Sequence, residues 1–152
     1  FDKMKNVWKN DVTSVSKLRT YILFKDTYNA ESYLNIVTNR QHRSILAQFR
    51  CGILPLRVET GRFQDIPVEY RLCTLCNMNT VEDEIHFLLY CDKYAEIRNS
   101  LFDLVTKSVP HFMEMQDSDK LSVLMSEIFV REAAKTLFLC FEKRSEALYE
   151  NI

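Results

Sequence analysis

The chain has 152 residues, 47% of them hydrophobic and 27% charged, with a formal net charge of −1. That composition excludes a disordered chain and describes one folded domain, or a small domain with helical extensions, able to bury a sizeable core. No apolar stretch approaches the roughly 20 residues needed to span a bilayer, so no membrane partner is expected.

Two glycines and three prolines leave little material for the turns of an all-β fold, and helix-forming residues are plentiful, so the fold class is all-α. Asp2 to about Ser14 predicts a first helix with Met4, Val7, Trp8 and Val12 on one stripe. Ser16 can cap a second helix containing Leu18, Tyr21 and Ile22, and Ala30 to Val37 sets Tyr33, Leu34 and Val37 on one face. Asn39 has the chemistry of an N-cap for a helix through Ile45, Leu46 and Phe49, which Gly52 would stop in a left-handed cap. Residues 53–72, with Pro55, Gly61 and Pro67, read as loop and short turns. Thr80 and Asp83 resemble a capping box for a helix from about Val81 to Tyr90, and Asp92 can cap the next, which runs to Val109 before Pro110. Ser118 or Asp119 opens a last helical block to about Glu150, with a break near Ser126. The chain divides into N-terminal helices (1–37), an arginine-rich helix with a metal module (38–109) and a C-terminal helical segment (110–152), within one domain overall. It opens on Phe1 with no secretory pattern and reads as a piece of something longer.

Cys73, Cys76, His86 and Cys91 read Cys-x2-Cys, nine residues, His, four residues, Cys. This is a complete ligand set for one tetrahedral zinc ion per chain. A Cys-x2-Cys turn presents two thiolates to one point, and four protein ligands leave no position for water, so the zinc is expected to be structural rather than catalytic. The bland alternative is a set of reduced core cysteines with a lone histidine. Five cysteines, an odd number with most at ligand spacing, fit a reducing interior better than a disulfide framework, placing the chain inside the cell, in nucleus or cytoplasm. Cys51 and Cys140, among apolar neighbours in predicted helices, read as core, and His111 as a loop residue. Trp8 reads as a core anchor; Phe63 and Tyr70 stay open between packing and base stacking.

Charge is unevenly spread: residues 1–37 carry +2, 38–72 carry +3, 73–103 carry −4 and the remainder −2. Arg40, Arg43, Arg50, Arg57 and Arg62 form an arginine-dense stretch just upstream of the Cys-x2-Cys turn. Arginine suits bidentate contact with phosphate, although such a stripe is commonly a solvated helix face. Glu82, Asp83 and Glu84 stand where a helix should begin, favoured by its dipole; a catalytic acid cluster is the weaker reading, because thiolates already saturate the ion. No Ser-His-Asp set, glycine-rich phosphate loop or paired-carboxylate motif stands out, so no enzymatic activity is expected of this piece alone.

The stretch from Gln41 to Phe63, followed by Arg71-Leu-Cys-Thr-Leu-Cys76 and Glu82-Asp-Glu-Ile-His-Phe-Leu-Leu-Tyr-Cys91, resembles the zinc-binding region that follows the reverse-transcriptase domain of non-LTR retrotransposons. The resemblance covers about residues 16 to 103. It implies a helical accessory module that helps a reverse transcriptase hold template RNA or target DNA, with Cys73, Cys76, His86 and Cys91 as ligands and the reverse-transcriptase domain of the parent polyprotein as a further partner. The spacing departs from a retroviral knuckle, which has four residues where this chain has nine, and suits a larger site whose later ligands come from helices. The polymerase aspartate motif is absent.

These readings converge on a zinc-stabilised nucleic-acid-binding module in which the five arginines contact phosphate. The alternative is a zinc-stapled protein–protein interaction scaffold whose arginines pair with acids of the same chain. A metal-dependent nuclease would need an open coordination position and is the least favoured.

Overall fold

The computed structural model describes residues 2–15, 18–25 and 27–150. The regular structure of the described residues is helical, and their only extended pairing is a single antiparallel bridge between Leu72 and Val81. Seven α-helices follow in order: α1 (Asp2–Ser14), α2 (Tyr33–Ile36), α3 (Arg40–Arg50), α4 (Arg57–Phe63), α5 (Ala95–Ser108), α6 (Asp117–Leu124) and α7 (Val130–Glu150). None of these helices is long and apolar enough to cross a membrane.

The 21-residue α7 is the spine. Its buried stripe, Val130, Ala133, Ala134, Leu137, Cys140 and Ala147, keeps the three- and four-residue spacing of one helical face and packs on α3, α5 and α2. One hydrophobic cluster runs from Val37 through Leu46, Phe49 and Phe87 to Leu137 and Cys140, so the second and third segments read from the sequence share a core. Phe102 and Phe112 close its far end edge to face, 5.2 Å apart.

Local chemistry explains α3 well. The Asn39 side chain accepts from the His42 amide at 3.1 Å, the expected N-cap. At the other end Gly52 adopts φ 67, its amide donates to Phe49 O and the Ile53 amide to Gln48 O, a Schellman arrangement only glycine enters without strain. The break expected near Ser126 separates α6 from α7.

Elsewhere the expectations are corrected. The α1 stripe forms, yet Met4 and Val7 are exposed, only Val12 is buried, and Trp8 leans on Tyr28 at 5.7 Å rather than anchoring the core. The Ser16 cap falls outside the described residues, and the helix expected after it contracts to a 3-10 turn, Tyr21–Leu23. Cys51 ends α3 and is exposed, not core. Asp92 begins a 3-10 turn rather than capping α5.

The segment expected to be loop contains α4, whose start is supported from a distance. Glu82 accepts from the Arg57 amide through Oε1 at 2.7 Å and from the Val58 amide through its carbonyl at 3.0 Å, satisfying two amides of the first turn. Gly61 sits inside α4 because Arg71 crosses it, donating from Nε to Ile66 O at 2.7 Å and from Nη1 to Val58 O at 2.9 Å. A β-carbon at residue 61 would lie 2.6 Å from Arg71 Cγ. Gly61→Ala, usually stabilising by up to ~1 kcal/mol within a helix, is therefore expected to destabilise by roughly 1–3 kcal/mol through overpacking. Urea unfolding checks the sign, and a stabilised variant would contradict this packing.

Candidate metal centre

Two pieces of backbone build the site. The first is a hairpin closed by the Leu72–Val81 bridge, in which the Cys73 amide donates to Thr80 O at 2.9 Å and the Glu82 amide to Arg71 O at 3.0 Å. Between these bonds the chain turns tightly enough to place Cys73 and Cys76 together, with Asn79 taking the left-handed conformation, φ 53, that asparagine tolerates. Thr80 makes no capping box; its hydroxyl donates to Met78 O.

The second piece is unusual. The helix expected over 81–90 is a short turn that widens to π geometry over His86–Tyr90, closed by the Cys91 amide donating to His86 O at 2.7 Å. In an α-helix, residues five apart lie about 140° apart around the axis. The wider turn brings His86 and Cys91 back toward one side, so both side chains meet the hairpin. Asp83 caps this turn, accepting from the His86 amide at 2.8 Å. Arg98 of α5, itself buried, closes its other end by donating to Leu88 O and Cys91 O, each at 2.7 Å.

The four ligand atoms lie within 4.8 Å of one another, the one such cluster among the described residues. Cys73 Sγ and Cys91 Sγ are 3.9 Å apart, and Cys76 Sγ is 3.4 Å from His86 Nε2. Tetrahedral ligation with metal–sulfur bonds near 2.3 Å and metal–nitrogen bonds near 2.0 Å requires about 3.8 Å between sulfurs and about 3.6 Å between sulfur and nitrogen. A disulfide would require about 2.05 Å. The donor set therefore fits one small metal ion. Three of the four ligands are buried, and His86 Nδ1 is buried without a protein acceptor. Among the thiols, the hydrogen bond with Cys91 is the main cause that holds Cys73 down at about 3, while the same bond, with burial, pushes Cys91 up.

A layer of buried charge surrounds the cluster. Glu82, 1% exposed, has Oε2 3.9 Å from Cys73 Sγ, and its carboxylate accepts from Arg144 Nε at 3.0 Å and Nη2 at 2.8 Å. One side chain thus connects the hairpin, the start of α4 and the spine helix α7. Glu84 is buried too and takes two hydrogen bonds from Arg19; burial raises its pKa and Arg19 lowers it. Of the three acids expected to start a helix, then, Asp83 alone caps it and the other two are buried ion-pair partners.

The five arginines are placed very differently. Arg50 is buried, paired with Glu31 at 2.8 Å and with its guanidinium 4.7 Å from the rings of Phe24 and Tyr33, a contact that holds the fold together. Arg62 pairs with Glu59 at 3.1 Å and covers Phe63. Arg57 is half-buried, with Nε lacking a partner. Arg43 is half-buried and donates to Val37 O at 3.2 Å, and Arg40 is exposed. Phe63 and Tyr70 are exposed.

Family models, curated proteins and solved structures contain no match to this chain. The reading of the centre therefore stands on its own geometry. Sequence reasoning missed Arg98 and Arg144 and read Glu82 as a helix-start acid, whereas all three act on the centre from outside the ligand pattern. An isolated arginine inside an apolar helical stripe, as Arg144 is, was the available signal, since such a charge stays buried only with a partner.

Proposed function

We propose that this chain is a non-catalytic helical module, stapled by one structural zinc ion, that holds RNA or DNA by its phosphate backbone. The observation that carries the metal assignment is the approach of three sulfurs and one imidazole nitrogen to within 4.8 Å. Soft thiolates with imidazole select zinc over calcium or magnesium, which prefer oxygen cages. Four protein donors complete a tetrahedron, so the ion orients the chain and activates no water.

The nucleic-acid part is supported by the start of α3. Arg40 and Arg43 stand in its first turns, where positive charge opposes the helix dipole and so adds nothing to helix stability. The resemblance to the region after a non-LTR reverse transcriptase supplies a context: a retroelement polyprotein, or a host protein derived from one, in which the module lies beside the polymerase and positions template RNA or target DNA. The second reading, a zinc-stapled protein–protein scaffold, is favoured by one specific observation, that Arg50 and Arg62 are held by Glu31 and Glu59 of the same chain.

Native mass spectrometry with and without chelator, joined to salt-titrated binding of labelled RNA and DNA, separates the readings. One zinc per chain with binding that falls steeply with salt is expected, because phosphate contacts release counterions. One zinc without binding would favour the scaffold, and no zinc would overturn the assignment of the centre.

A further inference from the structure

Resting on the nucleic-acid reading, we infer that Arg131 of α7 joins Arg40 and Arg43 of α3 in a single phosphate seat at the junction of α2, α3 and α7. Arg131 lies far from the arginine-dense stretch in sequence and is brought to it by the fold. Its Nε donates to Ile36 O at 3.4 Å, while Arg43 Nη1 donates to Val37 O at 3.2 Å. Two guanidiniums from different helices thus reach consecutive carbonyls just before α3.

Arg40 is the first residue of α3, one turn before Arg43, and it lines an open hollow between α3 and α7 with Gln41, Ser44, Ile45 and Phe138. The seam is continuous: Arg131 and Phe138 are two turns apart on α7, and Phe138 packs against the His42 ring of α3 at 4.9 Å.

Three features favour an anion there. None of the three arginines forms an ion pair among the described residues, in contrast to Arg19, Arg50, Arg62 and Arg144. Arg43 and Arg131 each use one donor on a carbonyl, which leaves the other donors of each planar fork for a phosphate, the geometry guanidinium matches best. The amino end of the 11-residue α3 adds its positive dipole to the same place. Like charges on neighbouring helices that form no ion pair repel one another, and a bound phosphate relieves that repulsion. The hollow beyond, with an apolar floor and the polar Gln41 and Ser44, suits the sugar that follows a phosphodiester.

The test compares the wild-type chain with Arg131→Ala, Arg40→Ala and, as a surface-charge control far along α5, Lys107→Ala, by fluorescence anisotropy on a labelled single-stranded RNA and a DNA duplex across a salt series. Arg131→Ala is expected to weaken binding about tenfold and to lower the salt slope by about one, as Arg40→Ala does, with Lys107→Ala near wild type. Arg131→Lys should restore the slope, which separates charge from folding, and melting curves confirm that each variant is folded. Inorganic phosphate that competes only at high concentration identifies the polymer backbone as the ligand; tight competition would overturn that identification. Binding that survives Arg131→Ala but is lost in Arg40→Ala would overturn the shared seat and leave the nucleic-acid reading intact. No binding by the wild-type chain would overturn both.

Discussion

Chelating the metal, or replacing Cys73 by serine, is expected to abolish most of the cooperative fold. The free energy of a structural zinc site, about 10–16 kcal/mol at neutral pH, is as large as the whole stability of an ordinary domain, about 5–15 kcal/mol. The geometry says where the loss begins. The hairpin around residues 73–80 is tied by few backbone bonds, and the π turn sets Cys91 and His86 to meet it. Without the ion, a Cys73 thiolate would stand beside the Glu82 carboxylate in a buried site, with only the Cys91 thiol to share its charge. Because Glu82 also caps α4 and pairs with α7, disorder in the hairpin propagates into the spine. Far-UV circular dichroism and thermal melting with and without chelator check this, and an unchanged melting temperature would contradict it.

The second large effect is expected at Arg144. Arg144→Met removes the bidentate partner of a carboxylate that is 1% exposed and leaves that charge beside the sulfur cluster. Breaking a buried pair from one side costs roughly 3–5 kcal/mol. For a domain of this size that corresponds to a fall in melting temperature of roughly 10 °C. Adding Glu82→Gln is expected to recover part of the loss, because the remaining partner is then neutral while its amide oxygen can still accept from the Arg57 amide. A melting temperature for Arg144→Met within about 2 °C of wild type would show that solvent, not Arg144, neutralises Glu82.

These two predictions mark where local pattern reached and where it stopped. The four candidate ligands were legible because their chemistry is local: two cysteines in one turn, and a His and a Cys five residues apart, carry ligand spacing whatever surrounds them. Asn39 and Gly52 were legible for the same reason, since a cap is a contact of a side chain or a φ angle with its own helix. Glycine at position 61 instead suggested loop, whereas it lies inside helix α4 where Arg71, ten residues on, occupies the space a β-carbon would need. Glu82 and Glu84 looked like dipole partners of one helix, and their partners proved to be Arg144 and Arg19, 62 and 65 residues away. The arginine stretch looked like one feature, and the fold divided it into a core guanidinium at Arg50, a paired one at Arg62 and unpaired ones at Arg40 and Arg43.

From the sequence alone came the all-α class, the ends of α3 and the four donors of the candidate metal centre, each specified by residues close in the chain. Tertiary structure decided how the acids and arginines are used. A charge is stable in a folded chain only where something pairs or solvates it, and the partner is chosen by which helices pack together, information that no single stretch of sequence holds.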